Sequence, residues 1–106
     1  MADLPNPVQA LLAAANAHDT EAFLDAFTAD GVVDDWGREF TGRAAIQRWS
    51  DAEFIGVRVT LEVGTVTRQD DSWTIGATVG GDGFNGPSHF TFDVGGGQIR
   101  RMTIRQ

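Results

Sequence analysis

Three observations predict an α+β domain with its helices gathered on one side of an antiparallel sheet. Apolar residues recur at helical spacing in the first half of the chain and alternate with polar ones in the second half. No Pro/Gly/Ser-rich linker separates the two patterns, and there is no repeat or low-complexity segment. The 106 residues, 42% of them apolar, fill one hydrophobic core and leave no room for a second, so residues 1–106 form a single domain with space for a small pocket.

Asn6 is a cap candidate with Pro7 at the first helical position, and Val8, Leu11, Leu12 and Ala15 then fall on one stripe. Asp19 is expected to cap a second helix carrying Phe23, Leu24 and Phe27 until Gly31 stops it. Val32 and Val33 open a short strand that Asp34 to Gly37 ends, and Thr41 is expected to cap a third helix presenting Ala45, Ile46, Trp49 and Ala52. Four strands follow. Val57, Val59, Leu61 and Val63 alternate before the phase jumps to Val66, which predicts a bulge near Gly64. Trp73, Ile75, Ala77 and Val79 share one face of the next strand, and Phe90, Phe92 and Val94 one face of its successor. The last strand, Gln98 to Arg105, changes phase between Ile99 and Met102. Asp70-Asp71 and Gly95-Gly96-Gly97 read as hairpin turns, and Gly80 to Pro87 as a longer loop fringing a pocket mouth.

Fifteen acidic against eight basic residues give a net charge of −7, which repels phosphate backbones and anionic lipid, so nucleic acid and membrane are not expected partners. All the basic residues are arginine. The absence of cysteine excludes disulfides, thiolate metal sites and cysteine nucleophiles. No basic leader precedes the first apolar segment and no run approaches the roughly 20 apolar residues of a membrane span, so a cytoplasmic protein is expected. His18 and His89 lie on separate elements without a spacing motif, so neither a metal nor a cofactor is expected. The Gly-rich segments lack the lysine and helix context of a phosphate loop.

The run from Asp19 to Asp35, DTEAFLDAFTADGVVDD, followed by Gly42-Arg43-Ala44-Ala45-Ile46, resembles the signature shared by SnoaL-like polyketide cyclases and ketosteroid isomerases of the NTF2-like superfamily. Three helices, a short strand and a curved four-stranded meander, in this order over nearly the whole chain, carry the same resemblance. It implies a cone-shaped α+β barrel: helices cover the concave face of the sheet, a cavity opens between them, and the convex face makes a homodimer.

In that resemblance Asp35 matches the general base of ketosteroid isomerases, at the strand end and facing the cavity. An apolar pocket raises the pKa of such a carboxylate, so that it takes and returns a proton within one substrate. Those isomerases also need a tyrosine and a protonated aspartic acid as oxyanion donors. This chain has no tyrosine; the corresponding positions fall at Leu11 and at or near Ser88. A steroid isomerase is therefore not expected, and Ser88 or the indole N–H of Trp36 or Trp49 would have to substitute. The other reading of Asp35 is a strand-end aspartate accepting backbone hydrogen bonds in the turn before Gly37. Alternation turns Asp34 the other way, toward solvent.

Phe27, Trp49, Phe54, Phe90 and Phe92 are candidates for the pocket wall, although aromatics at this spacing also serve simply as core. Trp36 and Phe84 sit in turns or loops and suit the rim. His89 alternates with Phe90 and falls on the convex face. Epoxide hydrolases of the superfamily use an Asp-Arg-Asp arrangement, but no arginine flanked by carboxylates stands at equivalent strand positions. Arg58, Arg101 and Arg105 are expected on the solvated or interface side, paired with Glu62 and Asp93. The expected function is binding of a small apolar, carbonyl-bearing molecule by a homodimer, with isomerisation, cyclisation or dehydration driven by Asp35. The alternative is a non-catalytic ligand-binding or dimerisation domain.

Overall fold

Pro5, not Asn6, caps the first helix. Its carbonyl accepts the N–H groups of Val8 and Gln9, both at 3.0 Å, so helix α1 (Asn6–Ala17) begins one residue earlier than expected. Pro7 sits in the first turn, where a missing N–H costs nothing. The structure, a computed structural model, describes residues 3–106; Met1 and Ala2, which begin the stretch read as leaderless, lie outside them. Val8, Leu11, Leu12, Ala14 and Ala15 form the buried stripe of α1. His18 ends the helix at φ 57°, and its Nε2–H donates to the Val59 carbonyl at 2.9 Å.

Asp19 caps α2 (Thr20–Asp25) by accepting the Ala22 N–H at 3.1 Å. The helix is shorter than predicted, because Phe27 already begins strand β1 (Phe27–Asp35) and pairs with Ile99. The Ile99 N–H donates to the Ala26 carbonyl at 2.8 Å, a tertiary bond that overrides helix propensity in Phe27. Gly31 therefore does not stop a helix. It lies where the register of β1 slips between Phe27 and Val32, and a Cβ there would stand 3.0 Å from that of Phe27.

A strand not predicted from the sequence, β2 (Arg38–Thr41), pairs antiparallel with β1. Thr41 thus ends a strand instead of capping a helix, and Gly42, at φ 88°, occupies the cap of α3 (Arg43–Glu53). Ile46, Trp49 and Ser50 of α3 point inward. Val57 falls in a 3-10 turn (Ile55–Val57), so the third strand, β3 (Thr60–Gln69), begins later than its alternation suggests.

With β4 (Ser72–Gly80), β5 (Gly86–Gly95) and β6 (Gln98–Arg105), the strands form one sheet in the order β2-β1-β6-β5-β4-β3. The sheet is mixed, not purely antiparallel, because β6 returns beside β1 in the same direction. Both predicted irregularities are present. Gly64 is the unpaired residue between Val63 and Thr65, and Arg100 is skipped as partners pass from Ile99–Val94 to Arg101–Asp93. The helices, with Phe23 of α2 fully buried, pack on one face over Ile75, Phe90, Phe92, Ile99 and Met102, which are fully buried too. Asn16 fastens α1 to β3, donating to the Leu61 carbonyl at 3.0 Å and accepting its N–H at 2.7 Å. Among the described residues no helix is long and apolar enough to cross a membrane.

The uncovered face carries one row across the sheet, Asp34, Thr103, Thr91, Thr74 and Thr67, with His89 exposed on the same side. Asp34 is buried, not solvated, because Arg101 reaches it at 2.7 Å and Arg105 at 3.0 Å. Neither arginine takes the partners expected from the sequence. Arg101 also pairs with Glu39, Arg58 pairs with Asp82, and Asp93 accepts from Ser72. Hydrogen bonding from Arg105, joined by the Gly37 N–H and Arg101, outweighs burial and lowers the Asp34 pKa from 3.8 to about 2. Stability from this carboxylate is complete above pH 3.8 and lost as pH falls through about 2. Asp34→Asn should cost about 1–3 kcal/mol at neutral pH and flatten the acid limb of stability against pH. Urea unfolding of both proteins across that range checks this; parallel curves would contradict it.

Candidate functional site

The β1–β2 connection is a two-residue turn in which Trp36, at φ 55°, and Gly37, at φ 90°, are both left-handed. This is the turn type whose twist matches paired strands, and it sets Asp35 directly opposite Arg38. The indole of Trp36 projects from the turn, 55% exposed. Asp34, on the outer face, accepts the Gly37 N–H at 2.8 Å. The turn-capping role considered for Asp35 therefore belongs to its neighbour.

Asp35 faces inward beside Ile104, into a cavity of about 370 Å³ between the end of α3, the 3-10 turn, the Gly-rich loop and the sheet. Trp36, Trp49, Phe54, Ser88 and Phe90 also line it, and Phe84, 57% exposed, stands at its rim. Leu11, Phe27 and Phe92 do not line it. They are buried where α1 and α2 press on the sheet, and Phe27 packs edge-on to Phe23 with centroids 5.4 Å apart. The resemblance placed Leu11 there by alignment, and Phe27 and Phe92 were candidates as aromatics at helix and strand spacing; all three serve as core instead.

The Asp35 side chain, 16% exposed, accepts the Trp49 indole N–H at 3.1 Å and the Arg38 guanidinium at 2.6 Å. Arg38 also makes a forked pair with Glu53, at 2.7 and 3.0 Å, and its guanidinium carbon lies 5.6 Å from the Phe40 ring centroid. Arginines between two carboxylates thus do exist: Arg38, drawn from a hairpin and paired with a helix end, and on the outer face Arg101, between Asp34 and Glu39 of neighbouring strands. Glu53 and Arg38 were not singled out from the sequence. Glu53 lies four residues after Trp49, hence on the same helical side, a signal that was available. Arg38 became a site residue only through the unpredicted strand. The Arg38 hydrogen bonds hold the Glu53 carboxyl below the usual glutamate range. Glu53 first and Asp35 second raise the Arg38 guanidinium still further above its ordinary value.

Trp49 stacks on Phe54 at 4.9 Å between centroids, and Phe54 in turn meets Phe23 at 5.5 Å and Phe90 at 6.4 Å. This aromatic chain runs from the core into the cavity wall and fixes the indole that donates to Asp35. Ser88 is buried in that wall, and its hydroxyl has no hydrogen-bond partner among the described residues. No group of three or more His, Asp or Glu side chains among them is placed to hold a metal ion.

A profile of the SnoaL-like domain family matches residues 8–102. The chain belongs to the SnoaL-like domain family. No match emerges among curated protein sequences. Of solved structures, a candidate polyketide cyclase from Sinorhizobium meliloti is 30% identical, with 97% of this chain and 96% of that one covered and a TM-score of 0.88. A protein of ketosteroid isomerase-like fold from Catenulispora acidiphila, in complex with trimethylamine, is 27% identical over 98% of this chain and 87% of its own, at TM-score 0.82. A computationally designed 17-OHP binder shares the fold, with 21% identity, coverage of 94% and 87%, and TM-score 0.81. This SnoaL-like domain therefore has an α+β NTF2-like fold, with the observed site between α3, the 3-10 turn, the Gly-rich loop and the sheet.

Arg38→Gln should return the Glu53 carboxyl toward the ordinary glutamate range, a rise followed by carbon-detected NMR titration. An unmoved Glu53 titration would show that the fork does not hold in solution.

Proposed function

We propose that this SnoaL-like domain holds a small, mainly apolar, carbonyl-bearing molecule in the cavity, and that Asp35 takes a proton from it and returns it. The supporting observation is a carboxylate in the wall of a largely aromatic and aliphatic cavity, oriented by the Trp49 indole. A proton shuttle of this kind serves isomerisation, cyclisation or dehydration. Trp49 is engaged with Asp35, which leaves the Ser88 hydroxyl and the Trp36 indole N–H as donors to a substrate oxygen. Small-molecule binding also agrees with the trimethylamine complex of the Catenulispora acidiphila relative and, at the level of fold, with the designed 17-OHP binder.

The Arg38 ion pair favours a second reading, passive binding, in which Asp35 only fastens the mouth. Deuterium exchange next to the carbonyl of cyclic ketones, followed by proton NMR, separates the two. Under the catalytic reading the protein accelerates exchange, and Asp35→Asn slows it by about 100-fold or more while ketone affinity changes less than about twofold. Exchange no faster than in buffer, with the ketone bound, overturns catalysis and leaves passive binding.

We further propose a homodimer through the uncovered sheet face, where the uncharged row Thr103, Thr91, Thr74 and Thr67 stands free of any helix. Sedimentation at micromolar concentration should give twice the 11.4 kDa chain mass; a species of chain mass alone refutes the pairing.

A further inference from the structure

We infer that the cavity takes a ligand bearing an alkylammonium or protonated amine group, held at the Asp35–Glu53 end. This rests on the reading of the cavity as a ligand site and specifies the chemical class that fits it. Two carboxylates, Asp35 and Glu53, belong to the wall, and no arginine does. The single guanidinium that pairs with both, that of Arg38, leaves the trio with one net negative charge. Its side chain is 54% exposed and approaches from outside, so the inward side of the carboxylates faces the cavity without a cation of its own.

The remaining wall suits the same group. Trp36, Trp49, Phe54, Phe84 and Phe90 border the cavity, and the negative faces of aromatic rings attract a cation that strongly hydrated anions would not replace. The net charge of −7 adds a long-range field of the same sign. An anionic ligand meets repulsion from every one of these groups, whereas a small organic cation with apolar substituents gains from carboxylate and ring together.

Ser88 is the independent sign that a ligand belongs here. The residue is only 4% exposed and borders the cavity, and its hydroxyl, which makes no hydrogen bond to another described residue, is accessible from the cavity and free to donate to a ligand oxygen. Asp35 stands in register with Ile104, and Ile104 with Phe90, which places Ser88 two strands away and two residues along. Flat strands would put the Asp35 and Ser88 Cα atoms about 12 Å apart, and the curved sheet brings the side-chain tips closer. A cationic head at one end and a neutral oxygen at the other match these two poles.

The test compares hydroxyhexyl trimethylammonium with its carbon isostere, in which a tert-butyl group replaces the ammonium head, by calorimetry and by the Trp49 indole N–H signal. The ammonium probe should bind at least about tenfold more tightly, equivalent to about 1.4 kcal/mol. Glu53→Gln, at an exposed position, should cut that preference severalfold, and Arg38→Gln, which removes the competing cation, should increase it. These opposite directions distinguish charge recognition from general damage to the site. Equal affinity for the two probes overturns the inference and leaves the ligand-site reading standing. Failure of both probes to bind or to move the Trp49 signal overturns the two together.

Discussion

The parallel pairing of β1 with β6 is the constraint on which the other features depend. It pulls Phe27 out of helix, places Gly31 at the register slip, and brings the last strand back beside the first. Parallel neighbours cannot be joined by a tight turn, so everything between them must be laid out as a long crossover. Here that crossover holds α3 and the whole meander, and the space under α3 becomes the cavity.

The same pairing separates two adjacent aspartates into different chemistry. Asp34 aligns with Thr103 and meets two arginines on the outer face, whereas Asp35 aligns with Ile104 and enters the cavity. Strand alternation alone distinguishes them. The outer carboxylate is tied down by Arg105, Arg101 and the Gly37 N–H, so the hairpin is anchored from behind. Its neighbour is left to the Trp49 indole and Arg38, both at the cavity mouth.

Features governed by local chemistry were legible in the residues. The stripe of α1, the Asp19 cap, the slips at Gly64 and Arg100, and the hairpins at Asp70-Asp71 and Gly96-Gly97 follow from period and turn chemistry. Misreadings fell where distant segments decide. Phe27 continues a helical stripe in sequence and leaves it only because Ile99 claims its neighbour's carbonyl. Arg38 to Thr41 is too short and too polar to signal a strand until β1 lies beside it, and with that strand went Thr41 as a cap and Arg38 as a site residue. For the cavity, alternation identified inward faces correctly but not how far along each strand the wall extends, so Phe90 borders it and Phe92 does not.

Gly64 lets β3 slip relative to β4. Its other neighbour is solvent, because β3 is the outermost strand and the longest free margin of the sheet. Beyond Leu61, whose N–H and carbonyl Asn16 takes up, the outward backbone groups of β3 would otherwise offer a straight template to any extended segment of another molecule. The extra residue breaks that template into two short lengths whose donors and acceptors no longer fall in step, while Glu62 and Arg68 add charge on either side. The slip that shifts the pairing of β3 with β4 therefore also disfavours pairing of the free margin with another molecule.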